Sequence, residues 1–150
     1  LVEDFTSIIK TRDICGLYVL DDGVDRELDD NWKDILAKMD FVIVQSYAMT
    51  ELAKSAHIVL PGLAPFEREG TITNDKGRIQ WLRPSLAAKG NSKADWEILM
   101  LVSNALHRNS EHFADLGEVI KKMSNQFSSY SDISLFKIGT RGMALNGKST

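Results

Sequence analysis

Apolar residues in the first sixty positions fall into short continuous blocks, separated by stretches where they recur every three or four places. Gly16–Asp21 (GLYVLD) reads as a buried strand that stops at the turn signal Asp21-Asp22-Gly23. Asp29-Asp30-Asn31 offers capping side chains to a helix from Trp32 to Met39, because Trp32, Ile35, Leu36 and Met39 fall at i, i+3, i+4 and i+7 and share one face. Phe41–Val44 (FVIV) is a continuous apolar block, the pattern of a strand covered on both sides. Thr50 stands where it can cap a short helix over Glu51–Ala56, and Ile58–Leu60 is a third strand stopped by Pro61-Gly62. Strand, helix, strand, helix, strand at this spacing predicts a parallel sheet with right-handed crossovers.

Beyond Gly62 the pattern changes. Thr71–Thr73 and Arg78–Leu82 flank Asn74-Asp75-Lys76-Gly77, a sequence suited to a tight hairpin turn. Pro84–Asn91 reads as a loop, and Ser92 as the cap of a helix over Lys93–His107 with Trp96, Leu99, Met100, Val102, Ala105 and Leu106 as its apolar set. A second helix is expected over Glu111–Met123. Ser128–Thr150 is polar apart from a patch at Ile133–Ile138 and is expected to run over the surface as a tail or to fray. The prediction is an α/β chain with a short parallel sheet, a β-hairpin after the third strand and two C-terminal helices.

Composition narrows the class without naming a chemistry. A chain of 150 residues predicts one domain over 1–150, with about 68–70% of its unfolded surface buried on folding. A net charge of −3, with acidic and basic residues interspersed, leaves no clustered basic face for nucleic acid. No apolar run approaches the ~20 residues that cross a bilayer. The opening LVEDFTSIIK lacks the basic start and apolar block of a signal peptide. The chain begins with Leu1 rather than Met, and is expected to be a piece of something longer. The single cysteine, Cys15, can form neither an internal disulfide nor a multi-cysteine metal site, and is expected as a small core residue.

Candidate chemistry is sparse. There is no G-x-S-x-G elbow, no G-x-G-x-x-G and no G-x-x-x-x-G-K-[ST], so neither an activated serine nor the common nucleotide loops are supported. His57 opens a strand and is expected as a core or strand-edge residue. His107 and His112 sit at or beyond a helix end, at a spacing that matches no metal motif. No catalytic residue and no metal ligand are expected. Glu67 and Glu69 follow the carboxyl end of a strand, where ligands of open α/β sheets bind; the plain reading is that they bond hairpin amides or face water. Gly70, Asn74 and Gly77 have a backbone role first. Arg78 can pair with Glu67, Glu69 or Asp75 to brace the hairpin, or with a phosphate. Trp81 and Trp96 read as core or interface aromatics.

From Phe41 to about Leu106 the chain also resembles the second half of the molybdopterin oxidoreductase domain. FVIVQSYAMTELAKSA, HIVLPGLAPFEREGTITNDKGRIQ and ADWEIL follow, in order, that family's strand into Gln-Asp, its Thr-Glu-Thr-Ala and Ala-Asp-Val-Val-Leu-Pro segments, its Glu-x-x-Gly-Thr-x-x-Asn-x-Glu-Gly-Arg-x-Gln hairpin and its Asp-Trp-x-Ile helix start. Ile133–Leu145 resembles the closing segment more weakly. The resemblance implies a three-layer Rossmann-like domain, with the core match over about 16–106; the surface tail over 128–150 is expected from its polarity. The family includes formate dehydrogenases and nitrate reductases, which hold a bis-molybdopterin guanine dinucleotide. It also includes the G-type large subunit of NADH:quinone oxidoreductase (respiratory complex I), which usually keeps the fold without molybdenum.

Three departures bear on the cofactor. Ser46 stands where molybdoenzymes often have Asp, Asp21-Asp22-Gly23 where an Asn-Pro turn is common, and Lys76 where the hairpin usually has Glu. Glu67, Gly70, Thr71, Asn74, Gly77, Arg78 and Gln80 all match. A retained hairpin with eroded nucleotide positions favours a structural piece of the G-type subunit. That reading implies no cofactor in this chain and iron–sulfur clusters elsewhere in the parent. Its partners would be the remainder of that subunit and other oxidoreductase subunits, on the cytoplasmic, peripheral side of the inner membrane without direct membrane insertion. The alternative is a fragment of a formate-dehydrogenase-like molybdoenzyme. There Thr71, Asn74 and Arg78 would lie near the pterin of molybdopterin guanine dinucleotide, with Arg78 as the phosphate or pterin donor. A third reading is a free-standing binding module that reuses the fold.

Overall fold

A computed structural model describes Ile9 and residues 14–106 and 111–145. They form two compact units, one of residues 1–64 with 89–95 and one of 65–88 with 96–150.

The first unit is the predicted parallel sheet. Strands β1 (Gly16–Leu20), β2 (Phe41–Ser46) and β3 (Ile58–Pro61) lie in the order β1-β2-β3, joined through helices α1 (Asp30–Ala37) and α2 (Glu51–Lys54). The register pairs Val19 with Val44 and Val44 with Val59, so Leu17, Val19, Val42, Val44 and Val59 share one side of the pleat. Ile35 and Met39 of the first crossover and Ala53 of the second pack on that side, with Ile9. Helix α1 starts two residues before the apolar pattern does, because the start is set by the cap: Asp29 Oδ1 accepts the Trp32 amide at 2.8 Å. Thr50 caps α2 as expected, accepting the Ala53 amide at 3.1 Å.

Two expectations in this unit are corrected or sharpened. Cys15 is exposed, not a core residue. It precedes the strand, and its carbonyl accepts the amides of Asp40 and Phe41, so its backbone, and not its thiol, has the structural part. His57 is a strand-edge histidine whose Nδ1 accepts the Val42 amide at 3.0 Å while its ring stacks on Phe41.

The second unit contains the hairpin, β4 (Gly70–Thr73) with β5 (Arg78–Leu82), antiparallel as predicted. Helices α3 (Asp95–Leu106) and α4 (Leu116–Gln126) follow. Helix α3 begins later than Ser92 would place it. Lys93 is in extended backbone against the end of β3, donating to the Pro61 carbonyl and accepting from Leu63, and Ser92 bonds the Lys89 carbonyl instead of capping a helix. The expected helix end at His107 lies outside the described residues. Helix α4 also starts later than the apolar spacing suggests. Asp115 accepts the Glu118 amide while the Glu118 carboxylate accepts the Ala114 amide, a reciprocal cap that fixes the first turn there.

The C-terminal segment differs most from expectation. Rather than a surface tail, it forms a 3₁₀ turn (Ser128–Tyr130), helix α5 (Leu135–Ile138) and strand β6 (Met143–Ala144), which adds to β5. Ile133, Ile138 and Leu145 are buried with Ile79 and Ile120 and form the core of this unit. Among the described residues, no helix is long and apolar enough to cross a membrane.

Candidate functional site

Open α/β sheets bind ligands at the carboxyl ends of their strands, where the backbone turns away and helices begin. In the first unit that edge is made by Asp21–Gly23 after β1, Ser46 at the end of β2 with Tyr47 after it, and Gly62 after β3. The ladder runs on past the strands, with the Asp21 amide donating to the Gln45 carbonyl and the Gly62 amide to that of Ser46. A cavity of about 480 Å³ opens beside the end of β1. Its walls are apolar at Val24, Leu28 and Trp32, and its polar groups include Asp21, Asp22, Glu27 and Asp29, with Arg26 as the one cation among the described lining residues.

Asp21, Asp22, Asp25 and Arg26 at this edge already have internal partners. Arg26 forms a fork with Asp22, Nη1 to Oδ1 at 2.9 Å and Nη2 to Oδ2 at 2.8 Å. Hydrogen bonds from Arg26 and then from the Val24 amide hold the Asp22 carboxyl below the usual aspartate range; the same fork raises Arg26. Asp21 accepts the Thr50 hydroxyl at 2.7 Å, and Asp25 accepts the Glu51 amide at the start of α2. Gly23, at φ +71°, opens no room for a ligand, because a Cβ there would lie 2.3 Å from the Tyr47 ring. The space that Gly62 leaves is bounded by Asp95 Oδ1 at 3.2 Å and by the Ser46 backbone.

The side of the sheet opposite the apolar helices carries a polar relay that sequence reading did not anticipate. Gln45, 1% exposed, accepts the Tyr18 hydroxyl and donates through Nε2 to Asp95 Oδ1 at 2.7 Å. Burial, and then the charge of Asp95, raise the Tyr18 phenol. Gln45 is legible in the sequence only as a polar residue that follows FVIV inside a buried strand.

In the second unit the hairpin residues singled out from sequence are close neighbours in the ladder. Thr71 pairs with Trp81 across it. The Asn74 Oδ1 accepts the amides of Lys76 and Arg78 at 3.1 and 2.9 Å, and Gly77 takes φ +73°. Arg78 does brace the hairpin, but not through the carboxylates expected of it. Its Nε and Nη2 donate to the carbonyls of Arg141 and Gly142. Glu69 accepts the Trp81 indole N–H at 3.1 Å, and Arg83 lies over the Trp81 ring at 4.1 Å. Among the described residues, no group of three or more His, Cys, Asp or Glu side chains is arranged to hold a metal ion.

By sequence, the chain is similar to proteins of one family. The family model described as molybdopterin oxidoreductase matches residues 3–105. The alpha subunit of an F420-dependent formate dehydrogenase from Methanococcus maripaludis is 30% identical over 109 residues, covering 72% of this chain and 16% of the relative. A probable oxidoreductase of Bacillus subtilis, YjgC, is 42% identical over 89 residues, covering 58% of this chain and 9% of the relative. A putative formate dehydrogenase of Staphylococcus haemolyticus is 32% identical over 124 residues, covering 80% of this chain and 13% of the relative. The chain thus spans between 9% and 16% of the length of these relatives.

Proposed function

The chain belongs to the molybdopterin oxidoreductase family, and from that premise we propose that it is a structural segment of a formate-dehydrogenase-like large subunit, without a complete redox centre of its own. The observation that carries this reading is the run of relatives named formate dehydrogenases, matched over as much as 80% of the chain. They weigh against the complex I subunit as first choice and for the molybdoenzyme alternative. Partners in this reading are the rest of the parent subunit and its companion oxidoreductase subunits. In such a parent the molybdopterin group supplies the redox chemistry.

Thr71, Asn74 and Arg78 are the proposed residues of this chain nearest to the pterin. Their chemistry suits support better than capture, since Asn74 and Arg78 spend donors and acceptors on the hairpin and on residues 141–142. At the sheet edge the fit to a phosphate-bearing group is poor. Like charges about 4 Å apart near a protein surface repel by roughly 4 kcal/mol before salt screening, and four carboxylates line the cavity there. No step is assigned to the group through these residues.

The second reading, a structural domain of the G-type subunit of NADH:quinone oxidoreductase, draws support from one observation: Ser46 and Asp21-Asp22-Gly23 replace residues that suit a nucleotide. One experiment separates the two. The native assembly containing this chain is isolated, its molybdenum measured by mass spectrometry, its pterin by fluorescence after oxidation, and formate and NADH oxidation assayed. Stoichiometric molybdenum with formate oxidation is the expected result. NADH:quinone activity without molybdenum or pterin overturns it in favour of the second reading.

A further inference from the structure

We infer that the carboxyl edge of this parallel sheet is sealed by the chain's own groups and excludes the phosphates of a guanine dinucleotide, so that this copy of the fold keeps its shape without the ligand. Three physical devices let an α/β sheet hold a phosphate: a glycine that admits the ligand to the backbone, amides at a helix start, and a cation. All three are present here, and each meets groups of the chain itself.

The glycine is Gly23, whose positive φ suits a close approach, but the Tyr47 ring fills the volume a side chain or ligand would enter. Among the helix-start amides, those of Trp32 in α1 and of Glu51 and Ala53 in α2 donate to Asp29, Asp25 and Thr50. The cation is Arg26, held in a two-bond fork by Asp22. A phosphate would have to displace the carboxylates of Asp29, Asp25 and Asp22, the Thr50 hydroxyl and the Tyr47 ring while entering a cavity that Asp21 and Glu27 also line. The cavity has the volume of a ligand site and the opposite charge preference. The apparent ligand edge is therefore an acidic structural joint between β1, α1 and α2.

The test titrates GDP, which carries both the guanine and the diphosphate, into the full chain at low salt. Thermal unfolding reports stabilisation, and amide resonances of Asp22, Gly23 and Thr50 report the location. The expected result is no rise in Tm at millimolar GDP and no saturable shift of those resonances. An Asp22→Asn/Glu27→Gln chain, which releases Arg26 and removes two charges, is expected to retain GDP at least about tenfold more strongly than the native chain, since one decade corresponds to 1.4 kcal/mol, well within the effect of a released fork. Saturable one-to-one shifts of the Asp22, Gly23 and Thr50 amides in the native chain overturn the inference. It rests on the family membership and not on which enzyme the parent is. A molybdenum-free assembly would sink the proposed function and leave this inference standing, and GDP bound at this edge would do the reverse.

Discussion

The hairpin turn shows how far a single residue's chemistry can be traced. Asn74 folds its own side chain onto two following amides, and Gly77 takes a backbone conformation that costs a side-chain-bearing residue about 1–2 kcal/mol. Both roles were legible, because turn chemistry is local. The partners of Arg78 were not, since Arg141 and Gly142 lie 63 and 64 residues further along the chain. The sequence suggested nearby carboxylates, and the fold delivers distant carbonyls. Arg78→Ala is expected to lower stability by about 1–3 kcal/mol, with Arg78→Lys recovering only part because an ammonium cannot reproduce the fork. Urea denaturation of the chain checks this; unchanged unfolding for Arg78→Ala would mean that the brace contributes nothing. Gln45→Ala is expected to cost about 1–3 kcal/mol in the same denaturation assay, since it removes the almost wholly buried acceptor of the Tyr18 hydroxyl and a donor to Asp95.

At the level of elements, existence was easier to read than boundaries, for a physical reason. The apolar spacing identifies a helix by its buried face, whereas its first residue is fixed by whichever side chain takes the orphan amides. Asp29 and Asp115 therefore start α1 and α4 at places the apolar pattern does not mark. Asp115→Ala is expected to cost about 1 kcal/mol, seen as earlier fraying of α4 in amide hydrogen exchange. The C-terminal segment was misread because its apolar residues are few and irregularly spaced. Strand β6 has only two residues, and a two-residue strand has no period to detect. Yet Ile138 is 2% exposed inside the second core. Ile138→Ala should lose about 2–5 kcal/mol, far more than a surface tail could. A loss below ~0.5 kcal/mol in the same denaturation assay would return this segment to the surface.

Taken as a whole molecule, the chain carries a net charge of only −3 over 150 residues, so general self-repulsion is a minor term and the pH response falls to particular groups. The parallel sheet and hairpin were legible because each has a clean period; the sealing of the sheet edge was not, because beside the local Asp22–Arg26 fork it depends on tertiary contacts, Tyr47 over Gly23 and Thr50 on Asp21. That edge contributes to the acid side of the stability profile through Asp22. Asp22 titrates lower in the folded chain than in the unfolded one, because Arg26 and the Val24 amide bond its carboxylate. Its contribution is complete above the ordinary carboxylate value of about 3.9 and is lost as pH falls through the lower folded value. On the alkaline side Lys54, raised by its bond to Glu51, is joined by Tyr18, whose phenol is raised by burial and then by Asp95. Its contribution is complete below the ordinary tyrosine value of about 10 and is lost as pH rises through the higher folded value. The urea midpoint should therefore decline at both ends, with Asp22→Asn flattening the acid limb and Tyr18→Phe the alkaline one. Because the Asp22–Arg26 pair has side chains 55% and 62% exposed, added salt should shrink the acid effect. The Tyr18 effect is led by desolvation and should persist in salt. An acid limb unchanged by Asp22→Asn at low salt would remove that pair from the account of stability.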